Sequence, residues 1–149
     1  MIEGVVIEPL KRILDERGKV MHMMRADSPL FTGFGEIYFS EVNPGVVKAW
    51  KRHRLMTLNY AVPVGNIKVV IFDDRPGSKT SGEVQEVFIG QDNYCLLRIP
   101  PLVWSGFKGI SPHPSIIANL TDIPHDPSEV ERLGPSDGKI PYGWSLGGG

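Results

Sequence analysis

A chain of 149 residues is long enough for one well-cored domain and short for two. Its formal net charge of −1 leaves no bulk field to recruit nucleic acid or an anionic membrane surface, so neither is expected as a partner. No apolar run reaches the ~20 residues needed to span a bilayer, and the opening MIEGVVIEPLKRIL lacks the basic start and long apolar core of a signal peptide, which makes a cytoplasmic protein the expectation. The single cysteine, Cys95, excludes an intramolecular disulfide and a thiolate metal cluster. Set between Tyr94 and Leu96, it reads more readily as a buried inert thiol than as a nucleophile.

Seventeen glycines and thirteen prolines punctuate short runs rich in Val, Ile and Phe, the spacing of an all-β sandwich or barrel. In chain order the expected strands are Gly4–Ile7, Lys19–Met24 after an Asp15-Glu16-Arg17-Gly18 turn, Gly35–Ser40, Val46–His53, Leu58–Val64, Ile67–Phe72, Val84–Ile89, Tyr94–Ile99, Trp104–Ile110 and Ser115–Leu120. Gly65-Asn66, between two apolar runs, signals a hairpin. Asp73–Ser81 is a polar loop. No amphipathic helix of three turns appears, although Ser128–Leu133 has the makings of one or two turns. From Asp122 onward alternation stops, so this proline-rich segment is expected to wrap the sandwich rather than add to it, with the closing glycines fraying.

The stretch Gly45–Gly65, GVVKAWKRHRLMTLNYAVPVG, carries the chemistry. Strict alternation puts Val47, Ala49, Lys51, His53 and Leu55 on one face and Lys48, Trp50 and Arg52 on the other. So basic a strand either lines a polar cavity or faces solvent. Its frame is a glycine, five residues, a Lys-x-His pair, and a second glycine fourteen residues past Lys51. This resembles the first motif of the cupin superfamily, where the pair is His-x-His and a Glu follows; here those positions hold Lys51 and Leu58. The implied fold is all-β, a double-stranded β-helix (cupin jelly roll) with an irregular C-terminal wrap. One domain would span residues 1–149, the sandwich covering roughly 14–121 and the wrap 122–149.

Five stretches, in order, resemble the cupin-fold nucleotide-sugar epimerases, in particular the dTDP-4-dehydrorhamnose 3,5-epimerases. They are the Asp15–Gly18 turn, the Val47–Lys51 strand, the Asp73-Asp74-Arg75 loop running on to Ser78, Thr80 and Gly82, the Ile99–Phe107 run, and Asp137 seven residues before Trp144. The family removes a proton from the carbon beside a ketone and returns it to the opposite face. That requires a base, a donor to the enolate oxygen and an acid across the ring. Carried over by position, the base His falls on Lys51, the oxyanion Lys near Leu58, the acid Tyr near Ala118 and a second His on Ser105, while the Asp of the His–Asp pair is retained as Asp137. The catalytic set is thus divergent. Replacement is available: His53 is expected as the base, Lys51 polarising the ketone and Asp137 orienting one of them. The plainer alternative has His53 hydrogen-bonding inside a cavity that binds and does no chemistry.

The same resemblance implies that the diphosphate is gripped at Arg17, and at Lys48 in place of an Arg, a change that keeps charge but loses bidentate geometry. Lys48 as a solvated edge charge is the competing reading. Glu36 falls where the family makes a polar contact and Ser105 where it has its second His; Glu36 near a diphosphate would be repulsive. Trp144 would close over the pocket or anchor the tail, and Arg75 reads more simply as a structural ion pair. No metal and no cofactor are expected, because the cupin ligand positions hold Lys51, His53, Leu58 and Ser105, and one imidazole beside an ammonium is a poor metal site. The expected function is metal-independent epimerisation or isomerisation of a dTDP-linked 4-keto-6-deoxy sugar by a homodimer. The alternative is a catalytically degenerate sugar-nucleotide-binding or accessory cupin without turnover.

Overall fold

The computed structural model describes residues 1–144, so the closing glycines lie outside it. Two five-stranded antiparallel sheets face one another. The first runs β1 (Val6–Pro9), β9 (Cys95–Ile99), β6 (Leu58–Val64), β11 (Ser115–Thr121) and β4 (Glu36–Val42). The second runs β12 (Val130–Arg132), β5 (Val47–His53), β10 (Trp104–Gly109), β7 (Asn66–Phe72) and β8 (Val84–Gly90). A separate hairpin joins β2 (Arg12–Asp15) to β3 (Gly18–Met21). Among the described residues no helix is long and apolar enough to cross a membrane.

From β4 to β7 and from β8 to β12 each strand lies in the opposite sheet from the one before, which is the jelly-roll plan that the run of short strands predicts. Leu58, Val62, Leu97, Ile99 and Ile117 from one sheet meet Ile67, Val69, Ile71, Val87 and Ile89 from the other in a single buried core. The Gly65-Asn66 hairpin is corrected. β6 and β7 are in different sheets, and Gly65 (φ +80°) turns a corner where a Cβ would lie 2.1 Å from Ser115 Oγ. Gly fits there both for its backbone angle and for the close approach.

Strict alternation along β5 is also corrected. The register with β10 pairs Ser105 with Lys51 but Phe107 with Lys48, so the ladder shifts across Ala49-Trp50. Trp50 stays opposite Lys51, in a second apolar cluster with Val70, Phe72, Trp104, Ile140 and Trp144; the bulge puts Val47 and Ala49 against that cluster and brings Lys48 to the side of Lys51. Gly106 sits opposite, where an added Cβ would come within 2.5 Å of the Ala49 Cβ.

Both ends differ from expectation. The sandwich begins before residue 14, because β1 pairs with β9, and the helical turn expected at Ser128–Leu133 is a 3-10 turn (Pro127–Glu129) followed by β12. The tail therefore adds an edge strand to the second sheet, through Val130–His53, Glu131–Arg52 and Arg132–Lys51 pairs, before it wraps that sheet's outer face.

Candidate active site

Between the sheets lies a cleft of about 130 Å³. β5 contributes Lys48 and Lys51 to it, β10 contributes Ser105 and Phe107, and the facing sheet supplies Tyr38 and Ser40 (β4), Leu58 and Tyr60 (β6), and Ile117 and Asn119 (β11). Cations therefore line one wall and phenols the other. Three of the facing polar groups sit side by side, since Asn119 of β11, which lies between β6 and β4, is the cross-strand partner of Tyr60 on one side and Tyr38 on the other. Tyr60 stands edge-on to Phe107, ring centroids 6.2 Å apart, and burial, with a smaller effect of Tyr38, holds its phenol strongly in the neutral form.

The Lys51 ammonium is partly withdrawn from water and faces the charges of Arg132 and Lys48; together these lower its pKa from the ordinary lysine value. Lys48 Nζ donates to Glu41 O (2.6 Å) and Ser40 Oγ (3.3 Å), which fixes its position at the cleft mouth. Lys48 and Lys51 also line an adjoining groove with Arg132, Leu133 and Gly134.

His53 lies two residues beyond Lys51 and is buried, but it is not among the residues lining the cleft. Its Nδ1 is 2.5 Å from Glu129 Oε1. Glu129 Oε2 accepts from the backbone N–H groups of Arg54, Leu55 and Met56. Burial works against the Glu129 carboxylate, yet the bonds from His53, Leu55 and Met56 outweigh it and hold its pKa below the usual value. The partner of His53 is thus Glu129. Asp137 instead accepts from the Lys139 backbone N–H within its own turn (2.9 Å).

The other expected site residues divide in the same way. Ser105 is buried in the cleft wall opposite Lys51 in register. Glu36 accepts from the His125 backbone N–H, tying the tail to β4, and does not line the cleft. Arg17 sits in the β2–β3 turn, paired with Asp15 at 2.7 Å and 83% exposed. Trp144 is buried on the outer face of the second sheet, with its ring 5.2 Å from that of Trp50. Arg75 forms the structural ion pair, with Asp73 accepting from its guanidinium and from Ser78 and Thr80. No group of three His, Cys, Asp or Glu among the described residues is disposed to hold a metal ion.

Sequence reasoning missed Tyr38, Tyr60 and Asn119 as wall residues and Glu129 as the partner of His53. A signal was present for Tyr60: alternation along LNYAVPV puts it on the side of the buried Leu58 and Val62, a place where a hydroxyl needs a reason, whereas Tyr38 in GEIYFS shares its side with Glu36 and Ser40 and does not stand out.

No protein-family model matches the chain. A dTDP sugar isomerase from Desulfovibrio desulfuricans has a solved structure 53% identical in sequence, with a TM-score of 0.95 over 97% of this chain and 93% of that one. The chain is 39% identical over 143 residues to the "Probable low-salt glycan biosynthesis epimerase" of Haloferax volcanii, covering 95% of this chain and 88% of the relative. This chain belongs to the nucleotide-sugar epimerase and isomerase family. The spore coat polysaccharide biosynthesis protein SpsL of Bacillus subtilis is similar as well, 33% identical over 147 residues and 97% of each chain. In this member of the family, the strand position at which the resemblance implies a base histidine holds Lys51, and that side chain does reach the cleft.

Proposed function

We propose that the protein is a metal-independent epimerase or isomerase of a nucleotide-linked 4-keto-6-deoxy sugar, with dTDP, the nucleotide in the similar isomerase's name, as the carrier. The observation that supports this best is the cleft itself, with an amine-bearing wall at Lys51 facing a wall of phenols and an amide at Tyr38, Tyr60 and Asn119. A sugar ring between them would meet a proton acceptor on one face and donors on the other, the arrangement that enolisation beside a ketone requires. Lys51 takes the base role. It lines the cleft where His53 does not, and its partial burial, with the charges of Arg132 and Lys48, favours its free amine. His53 and Glu129 then hold the end of β5 that carries Lys51. The groove flanked by Lys48, Lys51 and Arg132 suits the diphosphate, and nucleotide-sugar chemistry fits a cytoplasmic protein.

The test is deuterium incorporation from solvent water into dTDP-4-keto-6-deoxyglucose. Exchange at carbon 3 or 5, lost in Lys51→Met, is the expected result. Binding of dTDP, seen as a thermal shift, with no exchange by the wild type would overturn the enzymatic reading. It would instead favour a binding protein, a reading that draws on one observation: among the described residues no carboxylate or imidazole lines the cleft.

We also infer a homodimer. β4 is an open edge strand whose outward side chains Ile37 and Phe39 are 45% and 69% exposed, and the unattached β2–β3 hairpin shows Ile13, Leu14 and Val20 to solvent. Such edges and apolar faces favour association with a second copy. Sedimentation at a mass near twice that of one chain is the expected result; a monomer at micromolar concentration would refute it.

A further inference from the structure

The resemblance places the family's acid tyrosine near Ala118, yet β11 has no tyrosine there. The strand offers Asn119 to the cleft instead, with a phenol on the neighbouring strand to either side. The two phenols are not equivalent. Asn119 Nδ2 donates to Tyr38 Oη at 2.9 Å. The orientation of that amide is set from behind, because Asn119 Oδ1 accepts from the Asn59 backbone N–H at 3.2 Å, which leaves only the NH₂ end for Tyr38. Tyr38 therefore receives a hydrogen bond on its oxygen and has its own O–H left to direct elsewhere.

The amide N–H fixes the phenolic oxygen in place and is already aimed at the charge left there once the proton has been given up. Tyr60 has no such donor among the described residues and is more deeply buried, which opposes a charge on it. Tyr38, 37% exposed on the edge strand β4, also has access to solvent from which to recover a proton.

Resting on the enzymatic reading above, we infer that Tyr38, with its oxygen held by Asn119, is the acid that returns the proton to the face of the sugar opposite Lys51. The Lys51 amine takes the proton from the carbon beside the ketone, and the C–H electron pair becomes the enolate double bond as the negative charge moves to oxygen. A new C–H bond then forms on the other face with the proton of the Tyr38 hydroxyl, and the charge left on its oxygen is met by the Asn119 amide. The ammonium at Lys51 and the phenolate at Tyr38 are reset by proton exchange with water. Tyr60 stays neutral throughout as a hydrogen-bond donor to the bound ring. Tyr38 is the catalytic residue and Asn119 the positioning one.

The test follows two rates in deuterium oxide with dTDP-4-keto-6-deoxyglucose: solvent deuterium entering recovered substrate, and formation of inverted or isomerised product. In Tyr38→Phe, which removes one hydroxyl and keeps the ring, product formation should fall by about 10²-fold or more while exchange into recovered substrate persists, because Lys51 still removes and returns the proton on its own face. Tyr60→Phe should keep the two rates in the wild-type ratio. Asn119→Ala should lower product formation relative to exchange, as Tyr38→Phe does, because the Tyr38 hydroxyl loses the amide that positions it; a merely structural loss would lower both rates and leave their ratio at the wild-type value.

Three results would overturn the assignment. They are a wild-type ratio kept in Tyr38→Phe, exchange and product falling together in it, or the uncoupling appearing in Tyr60→Phe instead. Wild-type protein that neither exchanges nor converts the sugar would sink the enzymatic reading and this inference with it. Wild-type exchange with an indifferent Tyr38→Phe would sink this inference alone.

Discussion

Lys51 illustrates how a single side chain depends on its neighbours. A lysine at its ordinary pKa is a poor base near neutrality, because almost none of it is free amine. Partial burial and the positive charges of Arg132 and Lys48 all favour the neutral form. Removing one of those charges should raise the Lys51 pKa again. Arg132→Gln is thus expected to shift the rising limb of the exchange rate to higher pH, and a pH–rate profile in which the limb stays put would argue against Lys51 as the base.

Asp73 is the corresponding residue for stability. It is fully buried and accepts from Arg75, Thr80 and Ser78, and the Arg75 guanidinium leads in holding its carboxyl far below the usual carboxylate range. The folded-state pKa is depressed, so its contribution is complete above the unfolded value of about 3.9 and drains away as pH falls below it, where the unfolded chain binds the extra proton. Asp73→Asn should cost about 2–3 kcal/mol near neutrality and flatten the decline of the urea midpoint between about pH 4 and pH 2. The role of this loop is to hold the turn between β7 and β8.

Among elements, the 3-10 turn and β12 act as a latch on the end of β5. One carboxylate, Glu129, satisfies three successive backbone N–H groups at Arg54, Leu55 and Met56 as well as the His53 ring. Without it the Arg54 N–H keeps the Glu129 backbone carbonyl at 2.8 Å, but the Leu55 and Met56 N–H groups lose the acceptor given to them, and each such loss costs about 1–3 kcal/mol. Glu129→Ala is expected to lower stability by about 3 kcal/mol or more, and Glu129→Gln by less, because an amide oxygen can still accept. Equal stability of all three forms in urea unfolding would refute the latch. The bulge in β5 is a second element-level device. Gly106 gives it room, and by shifting the register it brings Lys48 and Lys51 to one cleft.

Across the whole molecule, the C-terminal segment closes a second core. Ile140 and Trp144 cover Trp50, Val70 and Phe72; Tyr142 Oη donates to Glu86 Oε2 at 2.5 Å, and the buried Lys68 lies between that carboxylate and the rings of Tyr142 and Trp144. This sheet face is the one turned away from the cleft. Trp144→Ala should therefore cost about 3–5 kcal/mol of stability with the turnover of the folded protein unchanged. A large change in KM with little change in melting temperature would restore the pocket-closing role.

The sequence determined the strands. Apolar alternation broken by Gly and Pro places β4 to β11 within a residue or two, because backbone period and turn chemistry are local properties. The family resemblance also marked Lys51, Lys48 and Ser105, and they meet at the cleft. Only the tertiary structure decided the rest. The bulge that turns Lys48 inward depends on a register with a strand more than fifty residues away, and the exchange of Asp137 for Glu129 beside His53 depends on how the tail pairs with β5. The phenol wall of Tyr38, Asn119 and Tyr60 is likewise assembled from three strands far apart in the chain. Long-range pairing carries no local signature, so which side chains share a cavity is fixed by packing of the two sheets and cannot be read from one strand at a time.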